Sequence, residues 1–222
     1  MFWEWLGRLW YELLYYPVAA FFLFFFSLRV KGRRNVPPTG GLLVLANHQS
    51  FLDPPLVGVA VRRRLRYLAR KTLFRPRLFA WLIRSLGAIP IDQEVGTEGI
   101  KAALHLLHEG KAVLVFPEGR RTPDGRMQPL KPGVVILIRR ARVPVLPVGI
   151  AGAFDAFPIH ARLPRLAPLF APPRPGTLAV VIGEPIPPEC LADLPPDEML
   201  ADLGDVLSDL HRQADRLRLQ KR

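Results

Sequence analysis

The segment Asn47-His48-Gln49-Ser50-Phe51-Leu52-Asp53 places an imidazole and a carboxylate five positions apart, and Phe116-Pro117-Glu118-Gly119-Arg120-Arg121 follows later in the chain. Imidazole titrates near neutrality and can take a hydroxyl proton, while a nearby carboxylate fixes its tautomer and stabilises the cation that forms. The second segment has the residue types of an anion site. Glycine lets backbone N–H groups approach closely, and planar guanidinium groups bind phosphate through paired donors. Together they predict a base acting on the hydroxyl of a molecule held by its phosphate.

Other chemistries fit less well. Zinc needs about three protein ligands, and the remaining histidines are scattered; His105 and His108 share a helix face but have no carboxylate or cysteine cluster with them. A covalent intermediate needs an activated Ser or Cys, yet no nucleophile-elbow pattern occurs and Cys190 lies in a proline-rich stretch. Asp53 also has a purely structural reading, because Pro54 and Pro55 follow it as they would an aspartate helix N-cap. The two readings are compatible, since a capped helix could hold that carboxylate beside His48.

These residues must be positioned by a scaffold. Short apolar runs at Leu42 to Ala46, Leu65 to Ala69, Ala88 to Ile91, Ala112 to Phe116, Pro144 to Ile150 and Leu178 to Ile182 read as buried strands. They alternate with helical patterns at Arg75 to Leu86, Thr97 to Glu109 and Lys131 to Arg140. The alternation predicts an α/β fold with a central, mostly parallel or mixed sheet flanked by helices. Both polar segments then leave the carboxyl ends of strands, where such folds place ligands. Apolar positions recurring from Asp197 to Lys221 predict an amphipathic closing helix, and residues 159 to 176, with five prolines and three arginines, read as a long loop.

The charge is asymmetric. Of the formal net charge of +12, residues 1 to 92 supply most, with 14 Lys and Arg against four carboxylates, and Asp53 is the only acid between residues 13 and 91. That balance points to an anionic surface. The uncharged, Phe-rich run from Leu13 to Leu28 favours acidic lipid over nucleic acid as that surface. Pro17 is expected to divide the run into a helical hairpin-like pair, one helix at headgroup level and one dipping into a single leaflet, in preference to one tilted spanning helix. The extreme N-terminus, with Glu4 before Arg8 and no small-residue cleavage site, reads as retained and not as a secretory signal. The expected division is residues 1 to 36 as membrane-binding helices and 37 to 222 as the α/β domain with its closing helix.

From about Asn35 to Pro185 the chain resembles the glycerolipid acyltransferase family, specifically its bacterial lysophosphatidic acid acyltransferases. His48 and Asp53 match the His-x-x-x-x-Asp block, with Asn47 just before it. Gly87-Ala88-Ile89-Pro90-Ile91 resembles the second block, Phe116 to Gly119 with Arg121 the third, and Val143 to Val148, with Pro144, the fourth. The resemblance implies His48 as general base and Asp53 as its orienting carboxylate. It implies acceptor-phosphate binding by Glu118, Gly119 and Arg121, with the Glu118 carboxylate orienting an arginine or taking a hydrogen bond from the glycerol. Ala69-Arg70-Lys71-Thr72-Leu73 resembles a segment whose cation helps stabilise the oxyanion, which puts Arg70, with Lys71 beside it, in that role.

Two positions depart from the pattern: Asp92-Gln93 stands where the second block ends in an arginine, and Arg120 where the third has threonine. Either Arg120 compensates as a phosphate ligand, or the site takes a different lyso-lipid, such as a lyso-ornithine lipid or a lysophospholipid. The implied reaction moves a fatty acyl group from acyl-CoA or acyl carrier protein to the free hydroxyl of lysophosphatidic acid. It implies direct transfer, no cofactor or metal, membrane lipids as partners, and the cytoplasmic face of the inner membrane, monotopic or peripheral. A non-catalytic membrane-binding protein is the contrasting class.

Overall fold

Leu42–Ala46 is buried at all five positions, the pattern of a strand covered on both faces. This strand, β2, lies mid-sheet in a computed structural model that describes residues 2–91, 97–170 and 172–220, without the side chains of residues 2–8. In chain order the elements are α1 (Phe2–Phe26), β1 (Arg29–Lys31), β2, α2 (Asp53–Val61), β3 (Leu65–Arg70), α3 (Arg77–Ser85), β4 (Ala88–Ile91), α4 (Thr97–His108) and β5 (Ala112–Val115). There follow α5 (Gly133–Ala141), β6 (Val145–Ala151), α6 (Ala153–Ala156), β7 (Ala179–Ile182), α7 (Glu189–Ala192) and α8 (Pro196–Leu219). From residue 37 onward each expected strand and helix forms, with the described ends moved by at most two residues.

The seven strands run in the order β1-β7-β6-β2-β5-β3-β4. β6, β2, β5, β3 and β4 are mutually parallel, whereas β7 is antiparallel to β6 and carries β1 parallel to itself. The sheet is therefore mixed. β2 leads through α2 to β3 on one side, and β5 leads through α5 to β6 on the other. The chain thus departs in opposite directions from two adjacent strands, which opens a crevice at their carboxyl ends.

Alternate side chains of each strand feed the two layers. Val44, Ala46, Leu114 and Leu146 meet α1 and α2 on one face. Leu43, Leu45, Val113 and Val145 meet α4, α5 and the start of α8 on the other. α3 covers Ala69 and Ala88 at the β4 edge, sharing Tyr67 with the α1 and α2 layer.

The N-terminal segment differs from its expectation. α1 is one continuous helix through Pro17 and not a hairpin-like pair. Proline removes one backbone hydrogen bond, but Tyr15 before it and Phe22 and Phe26 after it are all buried against the same core, so both halves are held on one line. The window Leu9–Phe26 has a mean hydropathy of 1.5 and only 11% of it is buried, enough by length and composition to cross a membrane. Its contacts lay it across the sheet instead. Trp10 meets Trp81 of α3 near the β4 edge, the Tyr15 hydroxyl donates to the Val59 carbonyl of α2, and the Phe26 carbonyl accepts from Leu178 N–H beside β7. Residues 10 to 26 cover about 24 Å, close to the ~29 Å width of seven strands.

Candidate active site

β2 ends by delivering two polar residues to the crevice. Asn47 is 2% exposed and clamps β2 to β6: its Nδ2 donates to the Ile150 carbonyl at 3.0 Å and its Oδ1 accepts from Ile150 N–H at 2.7 Å. With both ends engaged it is a strand clamp that sets the direction in which His48 leaves the sheet.

The chain then folds back on Asp53. Its Oδ2 accepts from Gln49 N–H at 2.5 Å, from Ser50 N–H at 2.7 Å and from His48 Nδ1 at 2.8 Å. An oxygen already taking two backbone donors acts as an acceptor here, so Nδ1 carries the hydrogen, and in the neutral ring the lone pair is on Nε2. Asp53 is fully buried while His48 keeps 12% of its side chain accessible, so the orienting group is sealed and the imidazole is not. The N-cap reading is corrected: Asp53 is the first helical residue, the cap position is Leu52 without a side-chain cap, and the carboxylate binds the preceding loop. Pro54 and Pro55 favour the helix start and leave that carboxylate free for the loop.

The segment after β5 encloses the same histidine. Phe116 stacks on the imidazole with centroids 3.9 Å apart and planes 12° from parallel. Glu118 Oε1 accepts from His48 N–H at 2.7 Å, and Thr122 N–H donates to the His48 carbonyl at 2.9 Å. The second oxygen of Glu118 accepts from Gln128 N–H at 2.7 Å. Glu118 is 1% exposed with each oxygen bonded to a backbone N–H group, so the role visible in this structure is to brace the loops around His48. It ties the β2 loop, the β5 loop and residue 128 together. Burial pushes its carboxyl up to about 7, against the pull of the two N–H donors.

Gly119 adopts a left-handed φ of +70°, which turns the chain from Phe116 towards Arg121. The Arg121 guanidinium lies over the Phe51 ring, 3.4 Å from its centroid, and Thr122 joins it to His48 through the backbone. Cation and base thus border one patch of surface. Arg120 is exposed beside them. Arg70 and Lys71 are exposed at the carboxyl end of β3, on the same sheet edge but two strands from β2, roughly 10 Å by strand spacing. Gly87 and Pro144 lie on the opposite edge, at the amino ends of β4 and β6; Gly87, at φ +102°, makes the turn into β4. They hold the scaffold and do not join the site. Gln93 lies outside the described residues.

An apolar cleft runs from the start of α2 between α1 and β3, lined by Tyr11, Tyr15, Val18, Pro55, Val59 and Tyr67. Pro54, at its near end, directly follows Asp53. Sequence reasoning gave no role to Ser50, Thr122 or Gln128, which act here through backbone N–H groups that carry no residue signature. Ser50 also donates through Oγ to the Phe157 carbonyl at 2.7 Å, fixing the loop against the segment after α6. The stacking of Phe116 was equally silent, since an aromatic after a strand reads first as core.

An oriented histidine and a neighbouring arginine thus lie where the strand connections diverge, and the Acyltransferase family model matches residues 27–151. The chain belongs to that family. The 1-acyl-sn-glycerol-3-phosphate acyltransferase of Bacillus subtilis is 27% identical over 184 residues, covering 82% of this chain and 85% of the relative. The chloroplastic BAT2 acyltransferase of Brassica napus is 27% identical over 69% of this chain, and the alpha enzyme of Mus musculus is 33% identical over 62%. The matches span 43% and 50% of those two longer relatives. The crystal structure of PlsC, the 1-acyl-sn-glycerophosphate (LPA) acyltransferase of Thermotoga maritima, has the same fold, with a TM-score of 0.72 at 24% identity over 96% of this chain and 83% of that one.

Proposed function

We propose that the protein transfers a fatty acyl group from a thioester to the sn-2 hydroxyl of 1-acyl-sn-glycerol-3-phosphate, forming phosphatidic acid. The observation that carries this reading is the His48–Asp53 pair, joined through Nδ1, with Arg121 alongside. The names of the relatives from Bacillus and mouse support the acceptor.

His48 Nε2 takes the hydroxyl proton as the oxygen attacks the thioester carbonyl. The tetrahedral adduct collapses by breaking the C–S bond, and the imidazolium returns its proton to the thiolate. The products are the ester and a free thiol, with the histidine regenerated. Asp53 stabilises the imidazolium in between, and Arg121 with the Gly119 turn holds the acceptor phosphate. The cation at Arg70 or Lys71 faces the charge that develops on the carbonyl oxygen. The apolar cleft beside Pro54 suits an acyl chain.

The donor is acyl-CoA or acyl carrier protein; both are cytoplasmic, which puts the site on the cytoplasmic face of the membrane. α1 attaches the protein to one leaflet as a monotopic helix. The test is turnover by the whole detergent-solubilised chain with lysophosphatidic acid and palmitoyl-CoA, following thiol release and phosphatidic acid, with His48→Ala in parallel. Loss of turnover in the variant is expected. Turnover that survives it, or none with either donor in folded wild-type protein, would overturn the proposal.

A further inference from the structure

Helix α3 is inverted relative to an ordinary surface helix. Ile83 packs with Ala69 and Ala88 in the interior and Ala80 is buried beside it in the helix, yet the opposite side presents Leu78 at 81% exposure and Trp81 at 55%. Arg77 and Arg84 frame them, and no carboxylate occurs between residues 54 and 91. A nine-residue helix with large apolar groups outward and only cations for charge matches an interfacial helix on anionic lipid.

α3 does not stand alone. Trp81 meets Trp10 of α1 edge to face, with centroids 5.4 Å apart, so its apolar side continues the outer face of α1. At the other end of α1 the long loop ahead of β7 is fastened to the helix. Ala167 N–H donates to the Phe25 carbonyl at 2.8 Å, Leu169 N–H to the Phe24 carbonyl at 3.0 Å, and Ser27 Oγ to the Ala167 carbonyl at 2.9 Å. From that loop Leu163 and Phe170 project at 80% and 92% exposure, among arginines and without a carboxylate.

We propose that α3 and the loop carrying Leu163 and Phe170 are two further membrane contacts, flanking α1, that seat the protein flat on an anionic phospholipid leaflet. This rests on the monotopic attachment proposed above and adds an orientation to it. The α1 and α2 layer faces the lipid, and the edge holding His48 and Arg121 opens sideways at headgroup level. Charge complementarity and continuity with α1 select a lipid surface.

Position-specific tryptophan fluorescence on vesicles tests the proposal. The variant W3F/W5F/W10F leaves Trp81 as the sole reporter; a second variant adds W81F and F170W. The whole chain is bound to vesicles of phosphatidylcholine with phosphatidylglycerol whose acyl chains are brominated either near the glycerol or near the terminal methyl. Expected for both reporters are a blue shift on binding, protection from iodide, and stronger quenching by the shallow bromines. Vesicle-bound protein whose two reporters stay iodide-accessible and unshifted would overturn the proposal. Turnover on the same vesicles separates the two readings: turnover with unshifted reporters sinks only the flanking contacts, whereas shifted reporters without turnover sink only the acyltransferase assignment.

Discussion

The His48 imidazole and the Phe116 ring lie face to face, nearly parallel at 3.9 Å. Because Asp53 holds Nδ1 and Phe116 covers one ring face, the base has few orientations other than the one with Nε2 towards the crevice. Phe116→Ala should lower kcat by roughly 10- to 100-fold, the scale of a misplacement of about 1 Å. KM for the acceptor should change little. Steady-state kinetics in acceptor concentration check the split, and an effect confined to KM would contradict the role.

Asp53→Asn should cost more. The amide cannot stabilise the imidazolium as a carboxylate does, and the buried Oδ1, which has no hydrogen-bond partner among the described residues, becomes a position where an NH2 group would be stranded. A loss of about 10³-fold or more in kcat is expected, by analogy with triads whose carboxylate is changed to an amide. Single-turnover thiol release measures it; a loss below tenfold would remove Asp53 from the mechanism.

Glu118→Gln should change the pH dependence of stability. Burial raises the native carboxyl from an ordinary 4.5 to about 7. Between those values the native state holds more protons than the unfolded chain, so this group's contribution to stability falls as pH rises through the window. The slope is at most about 1.4 kcal/mol per pH unit. The glutamine variant lacks that slope. Its melting temperature relative to wild type should therefore climb from about pH 5 to about pH 7 and then level off; a difference independent of pH would refute the assignment.

Arg121→Lys keeps the charge but loses the paired donors and the flat contact with Phe51. KM for lysophosphatidic acid should rise by about 10- to 100-fold, the equivalent of roughly 1.5 to 3 kcal/mol for a charge-assisted pair. Slow turnover of a phosphate-free monoacylglycerol should be unaffected. Equal losses on both acceptors would mean that Arg121 does not read the phosphate.

Much of this was legible in the sequence because it is local. Strands buried on both faces read as continuous apolar runs, and the spacing of His48 and Asp53 survives as direct contact because a single tight loop joins them. That both polar segments leave the carboxyl ends of strands was also legible, whereas the pairing of β2 with β5 that brings them together was not. What was not legible depends on partners far along the chain. β1 is three residues, two of them charged, and exists because β7 offers it an edge nearly 150 residues later. Glu118 looks like a ligand by type, yet its partners are backbone N–H groups of residues 48 and 128, which have no letter in the sequence. Pro17 looked like a break because the burial of Tyr15 and Phe22 on either side of it could not be weighed from the chain alone.

Tyr15, Phe22 and Phe26 share their interior with Leu56, Leu114 and Leu178, so the helix proposed to meet the lipid also roofs one face of the sheet. Each aromatic socket left vacant costs about 3–5 kcal/mol, and three of them rival the ~5–15 kcal/mol by which whole domains are stable. Cutting at the glycine-rich turn before β2 would therefore not release a water-soluble enzyme. With the membrane attachment proposed above, folding and arrival at the bilayer become coupled events, because a single helix provides the last wall of the core and is also the proposed first contact with lipid.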